Sequence, residues 1–421
     1  METTVCTRKI IPSSHEPIAF VNLNMISVEE AIDLVENNIP LGKTERKLLS
    51  DSVGFTLSES ISSPIDMPPF PQSAMDGYAV NFDETISEYE LVGEVAAGSD
   101  QQFELSKGEA VRIFTGAAVP LTANTVVRQE DVLVGPSTPL RVQSKVSFTE
   151  KVKLNANIRP QAEQIQKGTL AVEAGSFIDA GTLGYLAALG ITEVTVFSKP
   201  KIALLTTGDE LVKPGQDLKH GQVFESNSVM LQAAFESKGI SEITHLKIPD
   251  DYDQTVASIK SVMNDNDFVI MSGGISVGDY DFVGKALKEL EVEQVFYKVK
   301  QKPGKPLFFG KKESTTFFAL PGNPAAALTS FYVYIFPSLQ KFQGGEFAGC
   351  KRITLPIAHA YERKAQRSEF LKGSISDGKL SVLNAQSSAM LSSFSKADCL
   401  IYIPESHSSY VEGDMVECLI L

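Results

Sequence analysis

The chain has 421 residues, of which 43% are hydrophobic, and a formal net charge of −14. That length exceeds one ordinary core and points to about three domains, the composition is that of a soluble globular protein, and the acidic balance argues against non-specific nucleic-acid binding. No apolar run approaches the roughly 18 residues that span a bilayer, and Met1–Pro17 is polar without the apolar centre of a signal peptide, so no membrane attachment and a cytoplasmic location are expected.

In chain order, residues 27–38 (SVEEAIDLVENN) pattern as an amphipathic helix capped by Ser27, with Glu30 completing a capping box. The four prolines of 64–72 make an extended linker. Residues 76 to about 150, rich in Val, Thr and Gly, pattern as a small β domain. A helix is expected over 176–190, then a short strand at Val194–Val196. From Lys201 to Phe342 strands and helices alternate: strands 201–206, 243–248, 268–271 and 316–320, and helices 227–238, 254–263, one from Asp281 and one from Pro324. Asn227 or Ser226 caps the first of these helices. The alternation implies a doubly wound parallel α/β sheet. From about 350 short β runs return, so a second β domain closes the chain. Cys6, Cys350, Cys399 and Cys418 lie far apart without a C-x-x-C pair, and the five histidines are scattered. Incidental thiols are expected rather than disulfides or a zinc site.

Ligands of open α/β sheets bind beyond the C-terminal strand ends, and those ends carry the chemistry here. The third strand runs into Ser272-Gly273-Gly274-Ile275-Ser276-Val277-Gly278-Asp279-Tyr280-Asp281. Its glycines let backbone N–H groups approach an anion at a helix N-terminus. Its carboxylates suit an anion that arrives with Mg²⁺. The other ends carry Thr206-Thr207-Gly208-Asp209-Glu210, Pro249-Asp250-Asp251 and Leu320-Pro321-Gly322-Asn323-Pro324, the last a helix start with Asn323 as N-cap and Pro324 at the first position. Lys302-Pro303-Gly304-Lys305-Pro306 adds point charges for phosphate. Singly, these are helix caps, a solvated turn and surface lysines. Four loaded strand ends on one sheet edge describe a site for a phosphorylated ligand with a divalent metal.

The ordered set SAMDGYAV (73–80), RIFTGAAVP (112–120), TTGDEL (206–211), SGGISVGDYDF (272–282), KPGKP (302–306) and LPGNP (320–324) resembles the molybdopterin molybdenumtransferase family, the molybdenum-insertion enzymes related to the E domain of gephyrin. The resemblance runs from about residue 25 to the end. It implies a homodimer of elongated four-domain subunits: a composite N-terminal domain from 1–60 and 150–198, an inserted β domain at 61–149, an α/β pterin-binding domain at 199–345 and a C-terminal β domain at 346–421. It further implies that adenylylated molybdopterin and molybdate are substrates and that Mg²⁺ assists hydrolysis of the adenylate, releasing AMP and molybdenum cofactor.

By this resemblance Asp209, Glu210, Asp250, Asp281 and, from across the dimer, Asp76 supply oxygen ligands to Mg²⁺. Asp76, Glu210, Asp281, Lys302 and Lys305 are the catalytic set. Lys298, Lys302 and Lys305 hold phosphate or oxyanion. Thr115, Thr207, Gly208, Gly273, Gly274, Ser276, Gly278, Gly322 and Asn323 belong to the substrate site, with Ser276 and the glycine amides on the pterin phosphate. Lys372 and Ser388, beside Pro321 and Pro324, bind molybdate. Two departures stand out. After Asn157-Ile158-Arg159 the family's Gly-Glu-Asp run is replaced by Ala162-Glu163-Gln164, and its Phe-x-Arg by Phe370-Leu371-Lys372. Gln164 cannot carry a carboxylate's role, and lysine lacks arginine's bidentate fork. Two other functions are a non-catalytic pterin-binding scaffold and a molybdopterin adenylyltransferase; the latter is also a possible contact partner.

Overall fold

In the computed structural model residues 25–135, 144–275, 282–363 and 366–421 are described. The chain divides into two compact units, 1–43 with 197–421, and 44–196.

In the first unit the α/β region comprises β1 (Ile202–Thr207), a helix (Asn227–Ser237), β2 (Ile243–Ile248), a helix (Tyr252–Val262), β3 (Phe268–Ser272), a helix (Phe282–Glu289), β4 (Glu293–Lys298), β5 (Pro306–Lys312) and β6 (Thr315–Leu320). The sheet order is β2-β1-β3-β6-β5-β4. β2, β1, β3 and β6 are parallel, and β5 is antiparallel to both neighbours. Strands β1, β3 and β6 are buried at every position, as unbroken apolar runs such as FVIMS require when helices cover both faces. Alternate residues feed two cores. Ile202, Leu204, Phe268, Ile270, Phe318 and Leu320 face one, and Ala203, Leu205, Val269, Met271, Phe317 and Ala319 the other.

The doubly wound expectation is met, with one addition. β4 and β5 form an antiparallel arm that the alternating pattern does not announce, because a charged loop separates its two strands. The helix Val28–Asn38 is capped by Ser27, whose Oγ accepts from Glu30 N at 3.0 Å. It packs Val28, Ala31 and Val35 into the first core, so it belongs with the α/β sheet and not with the segments around 150–198 to which it was assigned. The last helix starts at Pro324 (Pro324–Ser330) and passes through a π-helical turn (Phe331–Ile335) into Phe336–Phe342.

The C-terminal sheet runs in the order 301–302, 368–376, 399–403, 415–420, 352–356. Its first strand comes from the loop between β4 and β5 and pairs in parallel with 368–376, Gln301 opposite Ser368 and Lys302 opposite Glu369. The α/β and C-terminal regions therefore share a sheet, and Phe370, Leu400 and Leu419 join the first core.

The second unit contains a six-stranded sheet in the order 125–128, 77–80, 109–113, 89–95, 145–148, 132–134, where a β domain was expected. The expected helix 176–190 is shorter, Ala180–Ala188, because Asp179 caps it by accepting from Thr182 N at 2.7 Å. Cys350, Cys399 and Cys418 are free and buried. No helix among the described residues is long and apolar enough to cross a membrane.

Candidate active site

The chain leaves β1 toward β2 on one side and returns from β2 to β3 on the other, so the sheet has its topological switch between β1 and β3. There Gly273 and Gly274, with φ of +93° and +64°, pass over Thr207. A Cβ on Gly273 would stand 2.6 Å from the Thr207 carbonyl oxygen, and one on Gly274 2.8 Å from Thr207 Oγ1. Only glycine allows this approach. Ser276, Gly278 and Asp281, the rest of this turn's expected site residues, lie outside the described residues.

The loop after β6 meets the same point: Gly322 lies 3.7 Å, by its ideal Cβ, from Gly273 Cα. Asn227 ties the two loops. Its Nδ2 donates to Ser272 Oγ at 2.8 Å and to the Gly322 carbonyl at 2.8 Å. The sequence pattern offers Asn227 or Ser226 as the helix cap, and the structure puts Ser226 at the N-cap position. In fact Glu225 accepts from Ser228 N at 2.8 Å at this helix start, which frees the buried Asn227 side chain for the sheet edge. No local signal separates this role from that of a cap, because both partners of Asn227 are distant in the chain. Among the described residues, Thr207 Oγ1 and Asn227 Oδ1 are buried without a hydrogen-bond partner.

Three expected metal ligands gather beside this junction. Asp209 and Asp250 each accept the other's backbone N–H at 3.3 Å, joining the ends of β1 and β2. The Glu210 carboxylate folds over Gly208, 3.0 Å from where a Cβ would sit. Among the described residues no three Asp, Glu, His or Cys side chains form a metal cage. The donor chemistry nevertheless fits Mg²⁺, a hard cation ordinarily held by one or two carboxylates with waters and substrate phosphates.

Because β4 runs parallel to β6, Lys298 ends at this same sheet edge, and the loop with Lys302 and Lys305 follows. Gly304 in that loop packs on Ala326 and Ser330. Asn323 is the N-cap position of the last helix and Pro324 its first residue, as expected, but the Asn323 side chain makes no cap bond. Its Nδ2 donates instead to Ser388 Oγ at 3.0 Å, while the Ser388 carbonyl accepts from Ala325 N at 3.0 Å. So Pro321, Gly322, Asn323 and Pro324 stand next to the loop that carries Ser388. Lys372 is only 2% exposed. Its Nζ donates to the carbonyls of Ala385, Ser387 and Met390 at 3.0, 3.3 and 3.4 Å. Its three donors are therefore committed to the loop around Ser388, and burial lowers its pKa. The geometry makes it a support of that loop.

Asp76 and Thr115 form a constellation in the second unit. Asp76 Oδ1 accepts from Thr115 N at 2.8 Å and from Thr115 Oγ1 at 2.7 Å. These two bonds hold the carboxyl below its usual pKa, helped by the Arg112 charge. Arg112 itself stacks over Tyr78 and Phe114. Replacing Thr115 with Val removes the hydroxyl bond and keeps the backbone one. The Asp76 titration followed by carboxyl NMR is then expected to move upward, still below that of a free aspartate. No change would mean the hydroxyl contributes nothing. Gln164 is exposed in this unit, its N–H bonded to the Met67 carbonyl at 2.9 Å.

Comparison with known proteins places the chain in a family. Residues 26–190 match the family described as MoeA N-terminal region (domain I and II), 203–341 the probable molybdopterin binding domain, and 354–421 the MoeA C-terminal region (domain IV). The molybdopterin molybdenumtransferase of Haemophilus influenzae is 33% identical over 93% of this chain and 98% of its own length. That of Bacillus subtilis is 28% identical over 94% of each. The crystal structure of the molybdopterin biosynthesis MoeA protein of Pyrococcus horikoshii OT3 is similar with a TM-score of 0.80 and 27% identity, covering 94% of this chain and 100% of that one. Motif order, sheet topology and full-length similarity agree: the chain belongs to the molybdopterin molybdenumtransferase family.

Proposed function

We propose that this protein inserts molybdate into adenylylated molybdopterin and, with Mg²⁺, releases AMP and the molybdenum cofactor. Its family makes it a transferase of molybdenum cofactor biosynthesis. The observation that carries the finer reading is one sheet edge that combines a glycine cradle at Thr207, the Asp209–Asp250 pair with Glu210, and the end of β4 with its lysine loop. A cradle for phosphate, hard oxygens for a divalent ion and cations for an oxyanion are what such a reaction needs.

In this reading the amides of Gly273 and Gly274, with Ser276 and Gly278, receive the pterin phosphate, beside Thr207 and Gly208. The unpartnered Thr207 Oγ1 and Asn227 Oδ1 suit polar groups of the pterin. Asp209, Glu210, Asp250 and Asp281 would hold Mg²⁺. When bound, the ion neutralises charge on the phosphate oxygens. Lys298, Lys302 and Lys305 offset the anionic charge of the cleaved bond and of the incoming oxyanion. Ser388 and Asn323, at the start of the last helix, place a hydroxyl and an amide where molybdate enters. Lys372 keeps that loop in place. In a homodimer the partner subunit's Asp76 would join the carboxylates, and contact with molybdopterin adenylyltransferase would hand over the adenylate.

The test is AMP release by purified protein given adenylylated molybdopterin and Mg²⁺, with and without molybdate. Molybdate-dependent release with metal-loaded pterin formed is expected, and chelating the Mg²⁺ should stop it. Tight pterin binding with no AMP release would sink the reading in favour of a binding protein. Gln164, an amide at a position where the family carries a carboxylate, is the observation that favours that outcome, and Gln164→Asp would then be the first reversion.

A further inference from the structure

We propose that Glu369, a residue with no role in the reading above, is a positioning residue that holds the Lys302 side chain in place for an anion. The inference rests on the anion-binding role given to Lys302 above. Glu369 is 0% exposed. Its two oxygens have two different partners: Oε1 lies 2.9 Å from Lys302 Nζ, and Oε2 accepts from the Tyr361 hydroxyl at 2.6 Å. Lys302 and Glu369 face each other across the parallel pairing of 301–302 with 368–376. Cross-strand neighbours project to the same face of a sheet, so the register itself delivers the carboxylate to the lysine.

The surroundings leave Lys302 little freedom. The preceding residue, Gln301, is buried and held on three sides. Its Nε2 donates to the Gly304 carbonyl at 3.1 Å, its Oε1 accepts from the Tyr334 hydroxyl at 2.5 Å, and its carbonyl accepts from Arg367 at 3.2 Å. By contrast 42% of the Lys302 side chain is exposed. An ammonium has three donors. Among the described residues one meets Glu369, which leaves the others for an anion on the open side. A carboxylate with no solvent contact is costly unless paired, so the buried Glu369 keeps the Lys302 ammonium close by. The flexible four-carbon stem of a lysine ordinarily loses rotamer entropy when it binds. Here that loss occurs on folding, through Glu369. Tyr361 fixes the second oxygen, and burial with this bond raises its own pKa.

The alternative is that Glu369 merely neutralises Lys302 or only stabilises the sheet. An experiment on the full-length protein separates these. Wild type, Glu369→Gln, Tyr361→Phe, Lys302→Met and the Glu369→Gln/Lys302→Met double variant are compared in two ways. Labelling of Lys302 by an amine-reactive reagent, read by mass spectrometry, reports its freedom without any turnover. The dependence of AMP release on adenylylated molybdopterin gives KM and kcat. Glu369→Gln is expected to increase Lys302 labelling severalfold and to raise KM roughly tenfold through the misplaced charge. In the Lys302→Met background the same change should add nothing to KM, since the two act as one unit. Tyr361→Phe, which keeps the ion pair, should leave labelling unchanged.

Unchanged labelling in Glu369→Gln, a lowered KM, or an equal effect in both backgrounds would overturn the proposal. If Glu369→Gln does not fold, Glu369→Asp, which retains the charge but withdraws it by one methylene, must show the same rise in labelling to a lesser degree. If wild type releases no AMP while Glu369→Gln still frees Lys302, the functional reading falls and the positioning of Lys302 stands.

Discussion

Gly273→Ala is expected to cost about 2–4 kcal/mol of stability and to abolish pterin binding, whereas Gly322→Ala, one strand away, should fold normally. The difference is geometric. At Gly273 the backbone has φ +93°, which an L side chain rarely adopts, and the new Cβ would sit 2.6 Å from the carbonyl oxygen of Thr207. That oxygen belongs to the end of a central strand and cannot retreat without disturbing the pairing of β1 with β3. At Gly322 the nearest atom to a new Cβ, among the described residues beyond its chain neighbours, is 3.7 Å away, an ordinary van der Waals contact. Chemical denaturation of both variants, with calorimetric titration of molybdopterin, checks the pair. A Gly273→Ala protein as stable as wild type would show that the β1–β3 junction is not the close-packed cradle described above.

The second large effect is expected at Lys372. Lys372→Met keeps an unbranched apolar stem and removes the ammonium. The carbonyls of Ala385, Ser387 and Met390 then lose their shared donor, and Met cannot replace it. Removing one partner of a buried charged network typically costs about 3–5 kcal/mol; part of that is recovered here because Ala385 and Met390 are exposed enough to take water. A loss of about 2–3 kcal/mol follows. Ser393 Oγ, which also donates to Ala385 O at 2.8 Å, and Gln386, which binds both the N–H and carbonyl of Lys372, keep the loop from detaching fully. The functional consequence should be specific: Ser388 leaves Asn323, so half-saturation for molybdate rises while that for the pterin changes little. Urea unfolding and molybdate-dependent AMP release measure the two effects. A variant with wild-type stability and a selective loss of molybdate response would instead make Lys372 a direct oxyanion contact.

Much of the α/β region was legible because its signals are local. The runs IALLTT, FVIMS and TTFFAL are continuous, largely apolar segments of strand length, ended by Gly or Pro, and they became β1, β3 and β6. Ser27 announced a helix start that the structure contains, whereas the Asp179 cap was not singled out and the helix after it was expected too long. The motifs at the strand ends identified the family, since their order along the chain is a one-dimensional property. The β4–β5 arm was missed where a strongly charged loop interrupts two apolar stretches, and no local pattern says that the flanks pair with each other.

What the sequence determined by itself was the identity and order of the chemically loaded turns, because glycine, proline and carboxylate carry their backbone and charge preferences wherever they stand. Tertiary structure alone decided which distant groups meet. The register of 301–302 against 368–376 sets Glu369 opposite Lys302. The docking of the 385–390 loop turns Lys372 inward and leaves Ser388 at Asn323. The burial of Asn227 makes a nominal helix cap into a tie between two strand ends. These outcomes depend on long-range pairing and on the cost of leaving buried polar groups unmatched, and neither is written in any single stretch of chain.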